Sequence, residues 1–263
     1  MRIAIVTGAS SGLGADFARQ LDASAEREKL DEIWLIARRS DQLQSLAGEL
    51  RNTTGRVMPM DLTDPERLAG LHATLKQLRP KVCWLINNAG FGKIGPFEHI
   101  SQSATLGMID LNIRSLTEIT RFTLPFCPEG AHIVQVASSA GFMPIPYFAT
   151  YAATKAYVVQ FSDALGQELR HRNISVTAVC PGPVATEFLD VASDGRGSPP
   201  RALLARSPDV VRKALRDARR RRRHSVHGLL IRLFTLTAGW IPRWLSLAIT
   251  GHIRMDRMID REP

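Results

Sequence analysis

Six short apolar runs recur along this chain, at 3–7, 33–37, 57–60, 82–87, 132–137 and 174–180, each bounded by turn residues and rich in Val or Ile. Runs of that length are too short for helices, and a strand that is apolar throughout is one covered on both faces. Between them lie segments with apolar residues at helical period, near 13–29, 41–52, 65–78, 101–126 and 150–171. Strand and helix in alternation predict an α/β fold of the doubly wound type, a mostly parallel sheet with helices on both faces. A brief seventh strand is expected at 225–227, after a helix opened by Ser207 as N-cap and Pro208 in its first turn. Nothing repeats internally, and 263 residues, 44% of them hydrophobic and 22% charged, suit a single domain over 1–263.

The opening Met-Arg-Ile-Ala-Ile-Val-Thr-Gly runs straight into a strand and a glycine turn, which predicts folding from residue 1, without a leader, in the cytoplasm. Cys83, Cys127 and Cys180 are odd in number and far apart in apolar segments, so buried thiols are expected rather than disulfides or a metal site. The net charge of +9 is uneven: residues 1–195 carry 18 Lys and Arg against 20 Asp and Glu, whereas 196–263 carry 16 against 5. An anionic partner would meet the C-terminal quarter.

Between the first run and the first helix stands Thr7-Gly8-Ala9-Ser10-Ser11-Gly12-Leu13-Gly14, with the spacing Gly-x-x-x-Gly-x-Gly. Glycines there allow a tight turn and let backbone amides approach a pyrophosphate at the helix N-terminus. At the end of the second run, where a carboxylate would hold the ribose hydroxyls of NAD, the chain has Arg38 and Arg39. Two guanidinium groups suit a 2′-phosphate, which favours NADP(H) over NAD(H). Asp61, just past the third run, can accept from an adenine amino group or cap the helix that begins at Asp64-Pro65.

Tyr151 and Lys155 are four residues apart, a spacing that sets phenol and ammonium on one helical face. The cation can favour the phenolate and bring a proton donor of pKa about 10 toward neutral pH, a device for proton transfer at a carbonyl or alcohol. Ser138 and Ser139 lie thirteen and twelve residues upstream. His99, His132 and His171 show no spacing to a serine and an acid that would suggest a hydrolase.

Taken with Asn87-Asn88-Ala89-Gly90, Asn112 in the long helix and Pro181-Gly182-Pro183-Val184-Ala185-Thr186, these motifs resemble the short-chain dehydrogenase/reductase family over residues 1 to about 190. The resemblance implies a Rossmann-type, seven-stranded sheet and an oxidoreductase that interconverts a ketone or aldehyde and its alcohol. It implies Tyr151 as acid or base, Lys155 on the nicotinamide ribose and tuning Tyr151, Ser138 rather than Ser139 on the substrate oxygen, and Asn112 holding a water that links Lys155 to solvent. The cofactor would be lined by Gly8, Ser10, Ser11, Gly12, Leu13, Gly14, Arg38, Arg39, Asp61, Leu62, Asn88, Ala89, Gly90, Pro181, Gly182, Val184 and Thr186, with Asn88 and Gly90 on the adenosine side. The alternatives are an NADP-binding regulator without turnover and a membrane-peripheral reductase of lipid-type ketones.

The resemblance stops near residue 190. A substrate loop is expected at 187–207, mobile because Pro, Gly and Ser crowd it, and a basic, apolar extension at 208–263. The glycine-rich strand that closes many tetrameric relatives is absent, so a homodimer through the helices near 101–126 and 150–171 is expected instead. The apolar stretch 229–250 is interrupted by Arg232, Pro242 and Arg243, and its longest uncharged run, 233–242, is half of the roughly 20 residues a span needs. It can lie at a membrane surface, wall an apolar substrate, or simply pack. The run Arg219-Arg220-Arg221-Arg222-Arg223 points all round a helix axis and lacks aromatic interleaving, so no nucleic-acid partner is expected; cations at a helix C-terminus oppose its dipole.

Overall fold

The computed structural model describes residues 1–195, 204–242 and 244–247. Seven strands form one sheet: β1 (Arg2–Thr7), β2 (Glu32–Ala37), β3 (Thr54–Pro59), β4 (Lys81–Asn87), β5 (His132–Val136), β6 (Ser175–Val179) and β7 (His224–Ser225). Their order is β3-β2-β1-β4-β5-β6-β7, with every pair parallel. The chain reverses its direction of winding between β1 and β4, and crevices at such a switch point receive ligands beyond the carboxyl ends of the strands.

Strand alternation decides the layering. On β1, Ala4 and Val6 join the core beneath α1 (Gly12–Asp22), while Ile3 and Ile5 face the opposite core. Ile33 and Leu35 on β2 follow the first pair, and Trp34 and Ile36 the second. On β4 the alternation slips, because Val82 stands opposite Ile3 but Trp84 opposite Ala4, which leaves Cys83 as an extra residue. That bulge puts neighbours Cys83 and Trp84 on the same face.

After α1 come α2 (Ala25–Glu28), α3 (Ser40–Glu49) and α4 (Pro65–Leu78). Then follow α5 (Gln102–Ile109), α6 (Leu116–Thr123), α7 (Ala149–Glu168), α8 (Glu187–Ser193), α9 (Ser207–Arg219) and α10 (Leu229–Thr237). Phe17 and Leu21 of α1, Leu43 and Leu46 of α3, and Val210, Val211 and Leu215 of α9 fill one face. Leu68, Leu71 and Leu75 of α4 and Ile119 and Phe122 of α6 fill the other.

Four expectations are corrected. The third strand begins at Thr54, not 57, because at this edge Thr54, Gly55 and Arg56 pair with β2 without being apolar. The seventh comprises His224 and Ser225 rather than 225–227. Ser207 is already helical, with Arg206 at the N-cap position, because Ser207 is buried in the first turn with its hydroxyl unpartnered. The 187–207 segment is helical over α8 rather than a loop throughout, and its residues 196–203 lie outside the described residues, as do 243 and 248–263 of the extension.

The arginine run is absorbed at the end of α9. Arg219 pairs with Glu28 at 2.8 Å and lies over Trp84, Arg222 pairs with Asp217 at 3.6 Å, Arg221 donates to Asn173, and Arg223 donates to Gln167 at 3.2 Å. Cys83, Cys127 and Cys180 are free and buried.

Candidate active site

The turn after β1 is closed by backbone contacts that exclude side chains. Gly8 has φ +64, and a Cβ on Gly14 would stand 2.1 Å from the Gly8 carbonyl oxygen. Asn88 fixes the turn from β4: its Nδ2 donates to the carbonyls of Thr7 at 3.0 Å and Gly8 at 3.1 Å. The Thr7 hydroxyl accepts from the amides of Asn88 at 2.9 Å and Ala89 at 3.1 Å. Asn88, expected to line the adenosine side, thus spends its amide on shaping the glycine turn.

Arg39 leans over this turn. One nitrogen donates to Ser10 at 3.1 Å, Ser11 at 2.9 Å and Glu187 at 2.9 Å, so the guanidinium joins the turn to the first residue of α8. Hydrogen bonding from Arg39 holds the Glu187 carboxyl below its ordinary range. Arg38 is exposed beside Asp61, whose Oδ1 accepts from the Thr63 amide at 2.9 Å and hydroxyl at 2.7 Å. Those bonds, with the charge of Arg38, keep Asp61 ionised to lower pH than an ordinary Asp. Asp61 does not cap α4; Asp64 does, accepting from Glu66 and Arg67. Leu62 is buried, and its carbonyl accepts from Ser115 at 2.6 Å.

Ser138 follows β5 and accepts from the Ala140 amide at 3.1 Å. Tyr151, Thr154 and Lys155 enter on α7, and all three are buried. Burial pushes the Tyr151 phenol above its ordinary value, and hydrogen bonding with the Ser138 hydroxyl offsets part of that. Burial pulls the Lys155 ammonium down to about 8. Its Nζ donates to the Val136 carbonyl at 2.7 Å and stands 5.6 Å from the centroid of the Tyr151 ring. The expected lowering of the phenol toward neutral pH is therefore not found in the chain alone. Among the described residues no hydrogen bond joins the ammonium to the phenol oxygen, and desolvation dominates both groups.

Asn112 lies in a π-helical segment, Asp110–Ser115, between α5 and α6, and is fully buried. Its Nδ2 donates to the Phe91 carbonyl at 2.9 Å and to Thr154 at 3.0 Å, and its Oδ1 accepts from the Phe91 amide at 3.1 Å. The side chain thereby clamps the segment after β4 in both directions. Gly90 makes room for it: a Cβ there would lie 2.8 Å from Asn112 Oδ1 and 3.4 Å from Lys155 Nζ.

Phe148, Phe188 and Glu187 join the site without belonging to any of the sequence motifs. Phe148 stacks on Tyr151 with ring centroids 4.3 Å apart, and Phe188 of α8 tilts against it at 5.3 Å. Met108, Phe91, Ile94 and Ile145 complete an apolar surround. Phe188 is held there because α8 is tied down: the Ile94 amide donates to the Ala192 carbonyl at 2.8 Å, and Lys93 donates to the Val191 carbonyl at 2.8 Å and pairs with Asp194. Phe148 stands three residues before Tyr151 and was legible as a helix-face neighbour; Phe188 and Glu187 left no local signal.

The site residues fit a dinucleotide. Among the described residues the only acceptor at Lys155 Nζ is the Val136 carbonyl, which leaves donors of a buried cation free for hydroxyl groups. Gly12 meets Thr186 across the groove, where a Cβ would stand 3.0 Å from Thr186 Cγ2. Pro181 accepts from the Ser139 amide at 2.9 Å, which binds the segment holding Pro181, Gly182 and buried Val184 to the one holding Ser138.

The pattern of the short chain dehydrogenase family matches residues 2–196, and the chain belongs to that family. It is 33% identical over 201 residues to sulfoacetaldehyde reductase 2 of Chromohalobacter salexigens, covering 73% of this chain and 77% of that protein. It is 31% identical over 192 residues to human retinol dehydrogenase 8, covering 71% of this chain; the match spans only 60% of the human protein's length. A short-chain dehydrogenase from Sphingobium yanoikuyae in complex with NADPH superposes with a TM-score of 0.75 at 28% identity, covering 100% of this chain and 97% of that one.

Proposed function

We propose that this protein is an NADP(H)-dependent oxidoreductase that interconverts an apolar ketone or aldehyde and its alcohol. One observation carries the reading: the Tyr151 phenol, buried beside Ser138 and Lys155, packs among Phe148, Phe188, Met108 and Ile145. A nicotinamide held here would supply or receive the hydride. Ser138 orients the substrate oxygen, and Tyr151, held protonated by its burial, gives that oxygen its proton during reduction. Lys155 grips the ribose hydroxyls with the donors left free by Val136, and Asn112 keeps the Phe91 segment in place around it. An aromatic wall favours carbonyls flanked by a large apolar group, since such a group gains by leaving water.

Arg39, already on Ser10 and Ser11, together with exposed Arg38 and the lack of a carboxylate at the end of β2, supports NADP(H). Exposed Leu106 and Ile109 on α5 support a homodimer through α5, α6 and α7. Free buried thiols suit the reducing cytoplasm. A second reading, work at a lipid surface, is favoured by the outer face of α10.

Purified protein is expected to oxidise NADPH with bulky ketones or aldehydes, and Tyr151→Phe to abolish this with cofactor binding retained. Cofactor binding without turnover across a broad carbonyl panel would favour a regulator instead.

A further inference from the structure

The C-terminal helix has one face seated and one face bare. Ile231 packs toward Gly182, where a Cβ would come within 2.8 Å of its Cδ1, and Thr235 and Ala238 are buried on the same side. At helical spacing Leu229, Leu230, Leu233, Leu236 and Trp240 fall on the opposite side. All five are exposed, Leu230 at 80% and Trp240 at 90%, and Trp244 beyond them is 71% exposed. A contiguous array of leucines and indoles left in water marks a contact surface.

Charge decides between occupants. From 229 to 247 the sequence contains Arg232 and Arg243 and no Asp or Glu, whereas Arg219 and Arg222 of the preceding run are already paired with Glu28 and Asp217. Arg232 is exposed at the flank of the bare face, and no carboxylate pairs with it among the described residues. Joining two copies through this face would set Arg232 of each against the other, with no acid between 229 and 247 to pair with either. Anionic headgroups neutralise them, and indoles are favoured at the boundary between headgroups and acyl chains. No described helix is long and apolar enough to cross a membrane, and α10 has nine residues, which suits lying in the surface.

We propose that α10, with Trp240 and Trp244, docks this protein onto membranes that carry anionic lipid. Its inner face rests on Gly182, beside the segments that hold Ser138 and Pro181. Docking therefore places the cofactor end of the sheet next to the bilayer, where apolar carbonyls concentrate. The proposal goes beyond the reductase reading and does not depend on it, since its readout is binding.

The full chain is tested by co-sedimentation with vesicles of phosphatidylcholine alone and of phosphatidylcholine with phosphatidylserine. Binding is expected to the mixed vesicles and to fall as salt is raised. Leu230→Glu with Leu233→Glu is expected to lower the partition coefficient about a hundredfold and Trp240→Ser about tenfold, with melting temperature and turnover of a water-soluble aldehyde unchanged. Absence of wild-type binding, or binding that these changes leave intact, overturns the proposal. So does a vesicle-indifferent dimer that the same variants split in analytical ultracentrifugation. Binding only after truncation at Leu247 would show that 248–263 cover the face, and would overturn it equally.

Discussion

Replacing Lys155 by Met should make the chain more stable while removing its activity. The wild-type ammonium is buried, and burial pulls it from 10.5 to about 8. At about 1.36 kcal/mol per unit, holding that charge inside the cofactor-free protein costs roughly 3 kcal/mol at neutral pH. Losing the bond to Val136 returns about 1 kcal/mol of that, for a net gain of roughly 2 kcal/mol. With an unfolding entropy of about 2.1 cal/mol/K per residue, this chain's melting point should rise by about 4 °C. The sign follows from linkage. Between pH 8 and 10.5 the unfolded chain holds the Lys155 proton that the folded one releases, so the wild type recovers the loss as pH rises and the difference from Lys155→Met shrinks. Urea and thermal unfolding by circular dichroism, without cofactor, at several pH values across this window give the test. A variant less stable than wild type at pH 7, or an advantage that does not fade by pH 10.5, would refute the argument.

Gly92→Ala should cut kcat/KM about 10- to 100-fold with the fold retained, because a Cβ there would stand 2.8 Å from Tyr151 Cδ2 and 2.9 Å from Phe148 Cε2 and must move the phenol. Steady-state kinetics beside a circular dichroism spectrum checks it. Arg39→Ala should raise KM for NADPH about 10- to 100-fold and change that for NADH far less; equal effects on both cofactors would remove the case for NADP(H). Burial pulls His132 down to about 4, so the folded state resists a proton that the unfolded chain accepts below 6.5. Wild-type stability should fall by about 3 kcal/mol as pH drops from 6.5 to 4, and His132→Gln should flatten that slope in urea titrations.

The regular parts of the fold were legible because their signals are local. β1 alternates between two cores, and a doubly covered strand betrays itself as a continuous apolar run. The apolar pattern alone marks only the end of β3, because an edge strand keeps its ladder with Thr54, Gly55 and Arg56, which carry no apolar signal. The apolar period marks the helix near 101–126 but not its π-helical segment around Asn112, since one extra residue in a turn leaves that period nearly unchanged. The candidate site divides in the same way. Tyr151, Lys155, Gly8 and Gly14 declare themselves by spacing. The partners of Asn88 and Asn112 do not, for an amide's hydrogen bonds depend on which backbone passes it.

The sequence by itself determined the order of strands and helices, the glycine turn at the switch point, and the helical register that sets Tyr151 above Lys155. These follow from periodicities of two and 3.6 residues and from the conformations glycine permits. Only the tertiary structure decided that Arg39 reaches Glu187 across 148 residues, that Phe188 closes on Tyr151, that Lys155 spends a donor on the Val136 carbonyl, and that α10 keeps its leucines in water. The physical reason is that such contacts belong to surfaces. Desolvation, ion pairing and the choice of a bare face exist only once distant segments have closed the site between them.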